Sequence, residues 1–122
     1  MKIDLAGKTA LITGASGQLG RVMARTLAGC GANLALHYRG NAAKAEELKA
    51  EIEGMGMRAM TVQADVTKLD EVLAMKEAVS AGLGAVDIVV ANAVIQYQWT
   101  SVLEQAVEDY VGQFESCVLQ SV

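Results

Sequence analysis

Residues 13–20 read TGASGQLG, and they overlap the end of the apolar run TALIT at residues 9–13. Gly14, Gly17 and Gly20 recur at every third position, so the chain leaves a strand-like run, turns on glycine and enters a segment of helical period. A glycine-rich turn at such a junction lets backbone N–H groups approach an anion, and the helix's first turn adds partial positive charge. Gly14 suits a tight turn out of the strand, Gly17 removes a side chain that would stand in a ligand's way, and Gly20 allows close packing of the helix. Ser16 offers a hydroxyl to a phosphate oxygen. Three glycines alone occur in ordinary turns; their place after the first strand and ahead of the first helix is what points to a bound diphosphate.

Two periodicities alternate along the chain beyond that turn. Short apolar runs suited to strands are TALIT (9–13), ANLALHY (32–38), RAMTVQAD (58–65) and VDIVVAN (86–92). Val and Ile dominate the last, as a strand covered on both faces requires. Helical segments lie between them. Leu19, Val22, Met23, Leu27 and Cys30 share one face of the first, and Ala45, Leu48 and Ile52 one face of the second. Leu69, Val72, Leu73 and Val79 line the third, which Thr67 and Asp70 open in capping-box spacing. A last helical segment, with Trp99, Tyr110 and Phe114, runs to Val122. The alternation predicts an α/β fold, a doubly wound parallel sheet of about four strands in the order 3-2-1-4 with flanking helices. Residues 1–122 are expected to form one domain.

Composition narrows the partners. A net charge of -4 without a Lys/Arg block gives no footprint for nucleic acid. The longest apolar run, VDIVVANAVI (86–95), carries Asp87 and Asn92 and is about half the length that a membrane span needs. Asp4 and Gly7 interrupt the N-terminal stretch, which argues against a signal peptide. Cys30 and Cys117 have no Cys or His at ligand spacing, so neither a metal site nor a disulfide framework is expected. A soluble, cytoplasmic protein follows as the expectation.

Four stretches together resemble the short-chain dehydrogenase/reductase family: GKTALITGASGQLGRVMARTLA, NLALHYRGNAAKAEEL, VQADVTKLDEV and VDIVVANA. The likeness runs from about residue 3 to the last residue and covers the first half of what such a protein normally contains. It implies an NAD(P)-binding Rossmann fold with the cofactor diphosphate over Gly14, Ser16, Gly17, Gln18, Leu19 and Gly20. The resemblance also places Asp65 and Val66 beside the adenine, and Asn92 and Ala93 by the ribose on the nicotinamide side.

The end of the second strand bears on cofactor choice. Members that prefer NAD usually carry an acid there to bind the ribose 2'-hydroxyl. Here Tyr38 is followed by Arg39, and a guanidinium suits a 2'-phosphate by charge and by bidentate geometry. NADP(H) is therefore the expected cofactor, with NAD the alternative. His37 reads as structural or near the adenosine, not as a catalyst.

The chain also departs from the family pattern. The family's chemistry uses a Tyr-x-x-x-Lys pair, the tyrosine as general acid/base. Tyr38 is followed four on by Ala42, Tyr97 by Ser101 and Tyr110 by Phe114, so no catalytic pair occurs in these residues. The resemblance puts that pair on a later strand and helix, and the chain by itself is expected to be inactive. Gln18 stands where the ordinary pattern has glycine, Ala91 and Val94 replace the outer residues of an Asn-Asn-Ala-Gly motif, and Cys117 lies near a usual Asn. Glu104, Glu108, Asp109 and Glu115 read as a solvated helix face, and Met55, Met57 and Met60 as gap fillers. Two other readings stay open: a non-catalytic dinucleotide-binding module, or a self-associating fragment. An unpaired fourth strand and an apolar last helix predict a homo-oligomer through either element or both.

Overall fold

A computed structural model describes residues 3–93 of the chain. Four strands and three helices alternate: β1 (Thr9–Ile12), α1 (Gln18–Gly29), β2 (Asn33–Tyr38), α2 (Ala42–Gly54), β3 (Ala59–Gln63), α3 (Leu69–Leu83) and β4 (Ile88–Val90). The sheet is parallel throughout, in the order β3-β2-β1-β4. Both the expected strand order and the Rossmann-like layout are realised. Val94 of the fourth-strand motif and the expected last helical segment, with Trp99, the four carboxylates from Glu104 to Glu115 and Cys117, lie outside the described residues.

The strands sit inside the expected apolar runs but are shorter, because ladder pairing stops where the chain turns toward a helix. At the start of β4 the side chain of Asp87 joins the ladder. Its carboxylate accepts the Thr9 N–H at 3.0 Å, while the Asp87 N–H donates to the Thr9 carbonyl at 2.9 Å. A polar residue next to an apolar strand thus satisfies a backbone donor that a hydrophobe would leave open.

Two cores lie on the two faces of the sheet. On one, α1 and α2 pack over Ala10, Ile12, Leu34 and Leu36, with Ala24, Ala28, Leu48 and Ile52 from the helices. On the other, α3 places Met75 and Val79 over Leu11 and Ala35. Arg25 of α1 forks onto the Glu51 carboxylate of α2, one arm at 3.1 Å. That pair is solvent-exposed, so it orients the two helices more than it stabilises them.

Three expectations need correction. The buried face of α1 is Gly20, Ala24 and Ala28, whereas Leu19 is 63% and Val22 54% exposed. Met23 and Leu27 of the same expected face are partly buried and pack against the core, so the correction concerns Leu19 and Val22, which stand outside it. In α3, Leu69 and Leu73 are likewise exposed, and Met75 takes the buried place beside Val79. Finally, among the described residues β4 is not covered on both faces, since Val89 is 63% exposed; its place at the edge of the sheet is the expected one. Of the three methionines, Met57 and Met60 do pack against the cores, one on each side, while Met55 is exposed at the end of α2.

Candidate functional site

The turn after β1 is held by bonds from three other segments. Gly14 has a φ of 66°, and a Cβ there would lie 2.9 Å from the Ala93 Cα, so conformation and space both demand glycine. Its N–H donates to His37 Nδ1 at 3.0 Å. Its carbonyl accepts from the Asn92 side-chain amide at 3.3 Å and from the Gly17 N–H at 3.2 Å. The next amide, Ala15 N–H, donates to the His37 carbonyl at 2.9 Å.

Thr13 joins the turn to the exit of β4. Its hydroxyl accepts the N–H groups of Asn92 at 2.8 Å and Ala93 at 3.0 Å, and donates to the Val90 carbonyl at 3.3 Å. The sequence reading passed over Thr13; a threonine directly before the glycine turn was the available signal.

The three glycines differ in what they do. A Cβ on Gly20 would meet the Gly14 carbonyl oxygen at 2.5 Å and the Ala15 Cα at 2.8 Å. Gly20 therefore packs the first helical turn against the glycine turn itself, and it does not line the cleft described next. Gly17 is unlike it, since the nearest protein atom to a Cβ there is an oxygen at an ordinary 3.5 Å. Gly17 is also the N-cap of α1, no side chain caps that helix end, and its first turn carries no acidic residue. The helix thus presents uncapped N–H groups with no carboxylate in its own first turn.

That end of α1 opens on a cleft of about 730 Å³. Gly14, Ser16, Gly17, Gln18 and Leu19 form one wall; Arg39, Asp65 and Val66 stand on another, and Asn92 and Ala93 close the side toward β4. All the expected site residues except Gly20 converge there. His37, Gly40, Asn41, Ala64 and Thr67 line it as well. Asn41 was legible as the residue before the helical AAKAEEL; it caps α2, its Oδ1 accepting the Lys44 N–H at 3.1 Å.

At the far end of the cleft, the Arg39 guanidinium is 59% exposed and lies 3.6 Å from the Asp65 carboxylate. The other Asp65 oxygen accepts the Thr67 hydroxyl at 2.6 Å and the Thr67 N–H at 3.0 Å. These bonds, the hydroxyl's first, hold the Asp65 carboxyl below its usual range, with Arg39 and Lys68 assisting against partial desolvation. The expected capping box is therefore corrected: α3 starts at Leu69 behind Lys68 without a side-chain cap. Thr67 stands one residue ahead of the N-cap, and its hydroxyl donates to the Asp65 carboxylate.

Parallel strands in the order 3-2-1-4, with a glycine turn and an uncapped helix at their carboxyl ends, define the doubly wound α/β class whose ligands bind at that edge. Within it, the chain belongs to the short chain dehydrogenase family, whose model matches residues 8–119. It is 44% identical over 86 residues to the 3-oxoacyl-[acyl-carrier-protein] reductase FabG of Staphylococcus epidermidis, covering 70% of this chain and 35% of that protein. A short-chain type dehydrogenase/reductase from Mycobacterium marinum superposes with a TM-score of 0.87 at 34% identity, over 96% of this chain and 47% of the other. A short chain dehydrogenase from Burkholderia cenocepacia, solved in complex with NADP, gives 0.86 at 34% identity, over 95% and 47%. The chain thus spans about a third of the length of the curated relatives it matches, and about half that of the solved structures. Among the described residues, no helix is long and apolar enough to cross a membrane and no cluster of metal-ligating side chains occurs.

Proposed function

We propose that this chain is the NADP(H)-binding portion of an oxidoreductase that moves hydride to or from a carbonyl or alcohol. The observation that carries this reading is the single cleft in which the α1 amides, Arg39 and the Asn92–Ala93 backbone converge. A dinucleotide laid along it has its diphosphate at the uncapped start of α1. Its adenine lies beside Asp65 and Val66, and its nicotinamide ribose by Asn92 and Ala93. The open space at Gly17 supports that fit, because nothing in the protein itself requires a glycine there. The NADP complex of the Burkholderia cenocepacia relative supports the cofactor class.

Arg39 carries the choice of NADP over NAD. It lines the cleft together with Gly40 and Asn41, the cap of α2, and no acidic residue occupies the first turn of that helix. A 2'-phosphate there gains a charge-assisted bond worth about 1.5–3 kcal/mol, or roughly tenfold to a hundredfold in affinity. Asp65 already draws on the Arg39 charge, so the lower half of that range is expected.

No Tyr-x-x-x-Lys pair occurs in the chain, and we infer that it binds cofactor without turning over carbonyl substrates by itself. Calorimetric titration with NADP+ and NAD+, beside a hydride-transfer assay, tests both parts. NADP+ binding without turnover is expected, with the preference lost in Arg39→Ser. Equal affinity for NAD+ and NADP+ in the unaltered chain would refute the specificity. Turnover would refute the inactivity, and no binding of either would refute the whole reading.

A homo-oligomer through the β4 edge is part of the same proposal, supported by the exposure of Val89 on an edge strand. A cytoplasmic setting is proposed from the chain's two cysteines, which lack a disulfide or metal spacing.

A further inference from the structure

His37 is 1% exposed, and its imidazole bridges two walls of the cleft. Nδ1 lies 3.0 Å from the Gly14 N–H, and Nε2 lies 2.6 Å from the Ala64 carbonyl, where the chain leaves β3. An amide can only donate and a carbonyl can only accept, so Nδ1 must be the acceptor and Nε2 must carry the proton. The neutral ring in that one tautomer satisfies both ends. A second proton would turn Nδ1 into a donor facing another donor. We propose that neutral His37 is the positioning residue of the diphosphate turn, tying Gly14 to the β3 exit so that the α1 amides hold their anion-binding arrangement.

The surroundings favour this state. Burial lowers the His37 pKa from 6.5, against the opposing effects of the Ala64 bond and the Asp65 charge. The glycine-turn residues of the cleft wall, Gly14 to Leu19, bring no ionisable group against the ring. From β3 and the start of α3 come Asp65, tied to Arg39, and Glu71, which accepts the Asp65 N–H and pairs with Lys68. On its own strand His37 is followed by Tyr38, and Arg39 comes just past the strand's end.

The cofactor part of this inference rests on the reading above, and the test separates the two. NAD+ and NADP+ affinities are measured from about pH 8 to about pH 5 for the unaltered chain, His37→Asn and His37→Leu. NAD+ is included because it has no 2'-phosphate to titrate. Asn places an acceptor where Nδ1 stands and does not ionise, so His37→Asn is expected to bind within about threefold of the unaltered chain at neutral pH and to lose less affinity in acid. His37→Leu leaves the Gly14 amide without its acceptor and is expected to bind about tenfold more weakly at all pH values.

In parallel, imidazole 15N shifts of the unliganded chain report the tautomer, and the amide signals of residues 14–17 are followed through the same titration. The Nε2–H form is expected. The amide signals should move as the ring protonates, and stay in place in His37→Asn. Equal affinity in His37→Leu, the same acid loss in His37→Asn, or an Nδ1–H tautomer would overturn the inference. If neither nucleotide binds, the cofactor reading falls, and the amide titration still decides the role of His37: unmoved signals reject it.

Discussion

Gly17 and Gly20 occupy the same helix start, and replacing each by alanine separates a glycine the protein needs from one its ligand needs. In Gly20→Ala the new carbon meets the Gly14 oxygen at 2.5 Å and the Ala15 Cα at 2.8 Å, about 1 Å inside a comfortable contact. Both neighbours are backbone and cannot rotate away. The cost belongs near the upper end of the overpacking range, about 3 kcal/mol, and the better helix propensity of alanine returns about 1. The net loss of about 2 kcal/mol lowers the melting temperature by about 8 °C for a domain of this size. Gly17→Ala has none of this, since φ is -76° and the nearest protein atom is at 3.5 Å. A smaller unfolded-state entropy and a poorer N-cap nearly cancel, leaving stability within about 0.5 kcal/mol. On the proposed cofactor reading its methyl group instead projects where the diphosphate approaches, and NADP+ affinity should fall at least about tenfold, or about 1.4 kcal/mol. Thermal unfolding by circular dichroism and calorimetric titration read the two effects separately. The reasoning fails if Gly17→Ala binds NADP+ as well as the unaltered chain, or if Gly20→Ala melts at the same temperature.

Three other expectations follow from single contacts. Thr13→Val removes the acceptor for the Asn92 and Ala93 amides, and chemical denaturation should show a loss of about 2 kcal/mol with its origin at the β4 exit. The folded Asp65 pKa lies below its ordinary 3.8, so the carboxylate's contribution is present above that value and is lost as pH falls below it. Thr67→Val deletes the largest cause of the shift; acid titration of stability should then show a shallower loss below that pH, and about 1 kcal/mol less stability at neutrality. Val89→Lys places a charge on the exposed face of the edge strand, and sedimentation should show oligomers of the unaltered chain giving way to monomer. A monomeric unaltered chain at tens of micromolar would remove the basis for that last expectation.

Much of the architecture was legible because it is written in local spacing. Each strand core lies within one apolar run, each helix lies between two such runs, and the turn at Gly14 announces the first crossover. The buried face of α1 was not legible in this way. Leu19 and Val22 satisfy the helical period as well as Ala24 and Ala28 do, and hydrophobicity favours the larger pair. What decides is how the helix lies on the sheet, which no periodicity reports. The residues found by motif, Ser16, Leu19, Asp65 and Asn92 among them, line the cleft. Thr13 and Thr67, which no motif assigned to the site, act through bonds to other segments, and so does His37, read from the sequence as structural or near the adenosine.

By itself the sequence determined the element order, the parallel sheet and the glycine turn at the carboxyl edge, because neighbours in the chain set those through period and backbone freedom. Only the tertiary structure decided that His37 takes up Gly14, that Thr13 takes up Asn92, and that Thr67 serves Asp65 instead of α3. The first two bonds join residues 23 and 79 positions apart. A donor's partner is chosen by which acceptor the packed sheet brings within 3 Å, and that choice does not exist until the strands have paired.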